Sequence, residues 1–158
     1  MSTKIPRTMM YNVQTFQRSN VQTYLPWLFL GLGLAQAAHS IEEVLTDLWR
    51  WMPLVSGTLH SRTGWTPVVA MPEMTFIIGN MIIIALMLGF SPLPFINRTW
   101  AWKVATIVAV VETVNGLNHV GAAILTGGYF SGCITGVALI LLSVPIWGRK
   151  WIFKETPR

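Results

Sequence analysis

Residues 67–90 read PVVAMPEMTFIIGNMIIIALMLGF, an apolar run in which Glu73 is the one charged side chain. A helix that crosses a membrane needs about 20 mostly apolar residues. Three further runs of this kind occupy residues 26–48, 101–125 and 132–147. The pattern predicts an all-α protein built as a four-helix transmembrane bundle.

Composition agrees with a membrane protein. Of the 158 residues, 53% are apolar and 11% are charged, whereas about 25% of an average soluble domain is charged. The net charge of +5 would indicate a nucleic-acid partner only if the cations clustered on one polar face. They lie instead in the short segments around the apolar runs. We therefore expect the lipid bilayer, and no nucleic acid, as a partner.

The ends of the runs indicate how the chain is oriented. All eight tryptophans lie near these ends, as in the aromatic belts at membrane interfaces. All lysines and arginines except Arg50 and Arg62 fall on one predicted side. The positive-inside rule then predicts an integral multi-pass protein with both termini cytoplasmic. The expected parts are a cytoplasmic tail (1–24), a four-span membrane domain (25–148) and a second cytoplasmic tail (149–158).

Glycine and proline residues predict how the runs are connected. Those between residues 48 and 67 predict a loop on the outer side, and those at 92 and 94 predict a tight inner turn. Gly127 and Gly128 predict a short last connection. Gly132 and Gly136 have the spacing that permits close approach of two helices.

Carboxylates and imidazoles inside a span are unusual, because a charged group at the centre of a membrane helix costs roughly 2.5–3.5 kcal/mol. Asp47 lies at the end of its run and can be hydrated. The remaining ionisable residues of this type are the candidate functional set: His39, Glu42, Glu43, Glu73, Glu112 and His119. Intramembrane groups of this kind are functional by default.

Helical geometry predicts that these residues meet. His39 and Glu112 each lie twelve residues beyond the tryptophan near the start of their runs, which is about 18 Å of helix. Glu73 lies about 12 Å inside the opposite end of an antiparallel run, at the same predicted depth. On the first and the third run, spacings of three, four or seven residues place polar side chains on one face of the helix. These side chains are His39, Glu42 and Glu43 on the first run, and Glu112, Asn115 and His119 on the third.

Residues 39–43, His-Ser-Ile-Glu-Glu, and His119 within Glu-Thr-Val-Asn-Gly-Leu-Asn-His (112–119) carry a family resemblance. The chain resembles the HXXEE family of small membrane proteins over roughly residues 25–148. That family also carries a Tyr-x-Pro-Gly element followed by a threonine. Here residues 129–132 are Tyr-Phe-Ser-Gly, with serine in place of the proline, and Thr135 follows. The resemblance implies a site within the membrane and no particular reaction.

Residue chemistry favours a membrane enzyme that performs metal-assisted chemistry, as an oxidoreductase or a hydrolase, on a lipid-soluble small molecule. Carboxylate and imidazole ligands suit dinuclear iron, manganese or zinc sites in helical bundles. One or two divalent ions are then the expected cofactors. The expected ligands are His39, Glu42, Glu43, Glu73, Glu112 and His119. The expected catalytic groups are Glu43, Glu112, Asn115 and Tyr129.

Two other functions use the same residues. The first is a metal-free acid–base isomerase or cyclase of an isoprenoid or sterol-like substrate, since burial places an acid and a base at similar pKa values. The second is non-catalytic, as an ion or proton path, a subunit of a larger membrane complex or a structural hydrogen-bond network. The partners to expect are further copies of the chain in a homo-oligomer, or a larger membrane complex. Metal content distinguishes the first hypothesis from both alternatives.

Overall fold

A computed structural model describes the backbone of residues 7–96 and 99–152, and the side chains of residues 24–96 and 99–148. The predicted tails fall partly outside these ranges. Residues 1–6 and 153–158, and the predicted inner cation Arg98, lie outside the described residues.

The described chain is all-α, as predicted. Five α-helices follow one another, and a short 3-10 helix, Leu93–Ile96, lies between the third and the fourth. The α-helices are α1 (Arg7–Leu45), α2 (Leu48–Thr63), α3 (Glu73–Phe90), α4 (Thr99–Thr126) and α5 (Cys133–Ile152). Because α1 begins at Arg7, helical backbone extends into the segment that we expected to be a tail. No strand occurs in the ranges that the structure describes.

The apolar runs at residues 67–90, 101–125 and 132–147 fall largely on α3, α4 and α5. Two segments among the described residues are long and apolar enough to cross a membrane: Glu73–Ile96 and Thr99–Thr126. The apolar part of α5, Cys133–Gly148, is shorter. The run at residues 26–48 falls on the last part of α1 and the beginning of α2.

The prediction of a loop between the first two runs is wrong, because α2 occupies it. Pro53 and Gly57 lie inside this helix. A single proline removes one backbone hydrogen bond and a glycine costs about 1 kcal/mol, and neither removes the remaining bonds of the helix. Gly64, with φ 74°, ends α2 by donating its N–H to the His60 carbonyl at 2.8 Å.

The core lies where α1, α4 and α5 pack together. Phe29 and Leu32 of α1 contact a cluster that includes Ala105 and Ala109 of α4 and Leu139 of α5. Beyond this cluster, α4 and α5 approach so closely that a Cβ on Gly116 would overlap the Gly136 carbonyl. The close approach predicted from Gly132 and Gly136 is therefore confirmed.

Candidate functional site

His39, Glu43 and His119 form one buried cluster between α1 and α4. Glu43 Oε1 lies 3.3 Å from His39 Nε2 and 3.1 Å from His119 Nε2. The exposed fractions of the three residues are 0%, 8% and 8%. One ligand atom from each residue lies within 4.8 Å of the other two. Both Nε2 atoms thus share one carboxylate oxygen as their neighbour.

The other nitrogen of each imidazole is hydrogen-bonded at the start of α5. His119 Nδ1 donates to the Ser131 backbone carbonyl at 2.5 Å. His39 Nδ1 lies 2.8 Å from the Thr135 hydroxyl oxygen. The two rings meet edge to face, with centroids 4.6 Å apart. These contacts hold both rings so that Nε2, rather than Nδ1, points toward Glu43.

Gly132 makes room for the two imidazoles. A Cβ at this position would lie 2.6 Å from His119 Nδ1 and 2.7 Å from His39 Cε1. Its φ of 79° also belongs to the left-handed region that glycine adopts without strain. The site therefore requires a residue without a side chain here, for space and for backbone conformation.

Glu42 lies outside the cluster of three and is hydrogen-bonded by Tyr129 and Thr135, which flank the start of α5. Its Oε1 accepts the Tyr129 hydroxyl at 2.6 Å. Its Oε2 accepts the Thr135 backbone N–H at 3.0 Å and the Thr135 hydroxyl at 2.5 Å. Partial desolvation and this bond to Glu42 raise the pKa of Tyr129 to about 12, so the phenol stays protonated at neutral pH.

The two glutamates of the sequence His-x-x-Glu-Glu thus have different surroundings, and this sequence also defines a protein family. The family of proteins of unknown function with an HXXEE motif matches residues 9–147. The chain belongs to the HXXEE family. Comparisons with curated proteins and with solved structures find no match. In this member of the family, the first and last residues of the motif are His39 and Glu43. They lie with His119 in the buried cluster, which we name the HXXEE cluster.

Glu112 and Asn115 lie on α4, the helix that also carries His119. Glu112 is buried. Its Oε2 accepts Asn115 Nδ2 at 3.5 Å, a long hydrogen bond. His119 follows Glu112 by seven residues and is also buried. The inward face predicted for α4 is confirmed by this burial.

Glu73 is not brought to the HXXEE cluster. It is exposed in the first turn of α3, where its charge is favourable to the positive end of the helix dipole. The prediction of equal depth counted helical rise from Trp65, but residues 67–72 are not helical. The helix begins only at Glu73, so a count of helical rise from Trp65 does not apply to this segment.

The sequence analysis missed the contribution of α5 to the site. We expected a third helix to supply Glu73, whereas α5 and the turn before it supply Thr135 and the Ser131 carbonyl. The one sequence signal for these positions was the Tyr-x-x-Gly element with its following threonine. A backbone carbonyl leaves no signature in the residue type that carries it.

Proposed function

We propose that this protein is a membrane enzyme in which His39, Glu43 and His119 bind one divalent transition-metal ion for chemistry on a lipid-soluble substrate. The observation that carries the proposal is the environment of His39 Nε2. Among the described residues, this fully buried nitrogen has no hydrogen-bond partner. Glu43 Oε1 lies 3.3 Å away and would form an ion pair with a protonated His39, without a well-aligned hydrogen bond.

Neither protonation state of His39 gives Nε2 a hydrogen bond within the described protein. A proton on Nε2 would face Glu43 Oε1 at 3.3 Å in poor alignment, so that pair would rest on charge alone. A lone pair on Nε2 would instead face the carboxylate of Glu43. A divalent ion held by His39 and Glu43 would remove both difficulties, because it would accept the nitrogen lone pair and attract the carboxylate.

The spacing of the donor atoms supports the same assignment. Zinc–nitrogen and zinc–oxygen bonds of about 2.0–2.1 Å at tetrahedral angles separate neighbouring ligand atoms by about 3.3 Å. The separations from Glu43 Oε1 to the two Nε2 atoms are 3.3 and 3.1 Å. Two imidazoles and a carboxylate suit zinc, iron or manganese. Three converging donors favour one ion with an open coordination position over the dinuclear site expected from the sequence.

Glu112 has the position of an acid–base group for such a site. A bound metal ion acts as a Lewis acid and lowers the pKa of a coordinated water. Glu112 is a buried carboxyl group about two helical turns before His119 on α4, outside the cluster of three ligands. We propose that it holds the proton moved during the reaction, while Asn115 orients it through the 3.5 Å contact.

The low burial of the two candidate spans supports a location in the membrane, and we propose that α1 and α5 complete a four-span bundle there. Of the two candidate spans, 22% and 28% of the residues are buried inside the protein, whereas a core helix of a soluble protein is mostly buried. The exposed positions include large aliphatic residues such as Ile78 and Ile82 on α3 and Ile107 on α4. Lipid satisfies such surfaces, and it would also supply the lipid-soluble substrate.

The test is elemental analysis of the full chain purified in gentle detergent. We expect about one transition-metal ion per chain, lost in both His39→Ala and Glu43→Gln, because each removes one of three ligands. His60→Ala is the matched control for the histidine, since His60 is exposed on α2 and bonds the Thr66 carbonyl at 2.7 Å. Glu73→Gln is the matched control for the glutamate.

Folded protein that contains no metal and does not bind added zinc, iron or manganese would contradict the proposal. The same cluster would then act without metal, in the acid–base function predicted as the alternative. Loss of metal in Glu73→Gln would instead restore Glu73 to the site.

A further inference from the structure

Glu42 is the residue of the HXXEE motif that the proposed metal centre does not use. It is half-buried, and its carboxylate accepts three hydrogen bonds, two of them from Thr135. Thr135 also contacts His39 Nδ1 at 2.8 Å. A continuous chain of hydrogen bonds therefore runs from the Glu42 carboxylate through the Thr135 hydroxyl to His39.

The direction of each hydrogen bond in this chain follows from the number of protons available. A hydroxyl has one proton to donate, and the Thr135 hydroxyl has Glu42 Oε2 at 2.5 Å as a charged acceptor. The other acceptor, the Gly132 carbonyl, is 3.5 Å away. With its proton given to Glu42, the Thr135 oxygen acts as an acceptor toward His39. His39 Nδ1 must then carry the proton that it donates.

We propose that Glu42 is a positioning residue that, through the Thr135 hydroxyl, holds His39 with its proton on Nδ1 and its Nε2 lone pair directed toward the metal ion. The inference rests on the metal site proposed above. Partners of this kind, outside the ligands themselves, fix the tautomer and the ring orientation of metal-binding histidines. The two glutamates of the motif then have separate roles, Glu43 as a ligand and Glu42 as the group that orients a ligand.

Other contacts of Glu42 hold it in place for this role. The Thr135 backbone N–H and the Tyr129 hydroxyl occupy its two oxygens, at 3.0 and 2.6 Å. Both come from the segment that begins after α4, so Glu42 also ties the start of α5 to α1. His119 is oriented differently, by the backbone carbonyl of Ser131. A side-chain substitution can thus alter the His39 tautomer while leaving that of His119 in place.

The experiment reads the tautomer and the metal affinity separately, using the full chain in detergent. Imidazole nitrogen-15 chemical shifts of the metal-free protein report which nitrogen of His39 carries the proton, with His39→Gln used for assignment. Competition with a chromophoric chelator measures the affinity for Co²⁺. The variants are Glu42→Gln, Thr135→Val and Thr135→Ser, with Glu73→Gln as the matched control.

We expect the Nδ1–H form of His39 in the unsubstituted protein and in Thr135→Ser, which keeps the hydroxyl. In Thr135→Val and Glu42→Gln we expect a mixture of tautomers and a Co²⁺ affinity about 10- to 100-fold lower. A double variant that combines Glu42→Gln with Thr135→Val should lose no more Co²⁺ affinity than the more strongly affected single variant, because both residues act through one hydrogen-bond chain. Glu73→Gln should match the unsubstituted protein in both measurements.

An unchanged tautomer in both Glu42→Gln and Thr135→Val overturns the inference, as does a changed tautomer with unchanged Co²⁺ affinity. In both cases the metal centre itself stands, because the unsubstituted protein still binds Co²⁺. Folded, unsubstituted protein that binds no Co²⁺ contradicts the proposed function and the positioning role together, even if the His39 tautomer is as expected.

Discussion

The burial of His39 and the surroundings of its two ring nitrogens indicate what the site is for. Its ring is fully buried, its Nδ1 bonds Thr135, and its Nε2 faces Glu43. Burying polar groups in this way is costly unless each one is satisfied. The arrangement is therefore easier to explain as a binding site than as packing, since an aliphatic residue would fill the same volume without these demands.

Gly132 gives the most direct test at the residue scale. In Gly132→Ala, the new Cβ would lie 2.6 Å from His119 Nδ1 and 2.7 Å from His39 Cε1. Overpacking of this kind typically costs about 1–3 kcal/mol, and the positive φ of 79° adds strain. We expect a lower free energy of unfolding in detergent and loss of bound metal.

Gly127→Ala is the matched control for Gly132→Ala. Gly127 also has a positive φ, 69°, but nothing lies within 4 Å of the position that its Cβ would take. It should lose about 1 kcal/mol from backbone strain and keep its metal. Equal metal content in the two variants would show that Gly132 does not shape the histidine pair.

At the scale of elements, the contact between α4 and α5 positions the site. Gly116 and Gly136 lie against each other, and one helical turn further along α4 His119 lies beside Gly132. Thr113 and Ser143 share a hydrogen bond of 2.6 Å at the same interface, and Trp147 Nε1 donates to Thr113 at 3.0 Å. Gly132 itself lies in the turn just before α5, so the close helix approach and the histidine geometry meet at the beginning of this helix.

Gly116→Ala tests this contact. The added methyl group would overlap the Gly136 carbonyl, a backbone atom that cannot move independently of α5. We expect a thermal unfolding midpoint below that of the unsubstituted protein, because about 1–3 kcal/mol of overpacking exceeds the gain of up to about 1 kcal/mol from helix propensity.

Gly121→Ala, on the same helix, controls for that propensity. A Cβ at Gly121 would have nothing within 4 Å, so the midpoint of this variant should stay level or rise. A Gly116→Ala midpoint equal to that of Gly121→Ala would show that α4 and α5 are not held at this distance.

The start of α3 shows why element boundaries mattered for the site prediction. The apolar run begins at residue 67, but helical hydrogen bonding begins only at Glu73, after Pro72 in extended conformation. The apolar run therefore includes a segment, residues 67–72, that is not helical. Glu73 therefore lies exposed in the first turn of α3 and does not join the cluster of His39, Glu43 and His119.

At the scale of the whole molecule, the proposed bundle makes a prediction about sidedness. Both termini should lie on the cytoplasmic side, with α2 and the Tyr129 segment on the other side. Single cysteines at Ser61 and Gly128, introduced into a Cys133→Ser protein, should react with a membrane-impermeant maleimide added to intact cells. A cysteine at Ser2 should react only after permeabilisation.

The Cys133→Ser protein without an added cysteine is the control for background labelling. In the four-span arrangement, the chain crosses the membrane once between residues 2 and 61. Reaction of Ser2→Cys and Ser61→Cys from the same side would therefore contradict this arrangement.

The sequence by itself determined the all-α class and the inward pairing of Glu112 with His119, because hydrophobic periodicity and helical spacing are local properties. It also indicated the HXXEE family. Only the tertiary structure decided that Glu42 turns toward Tyr129 and Thr135, that Glu43 lies between two imidazoles, and that Glu73 stays outside. These outcomes depend on where α5 and the start of α3 lie, which are contacts between segments distant in sequence and so are not written in any local pattern.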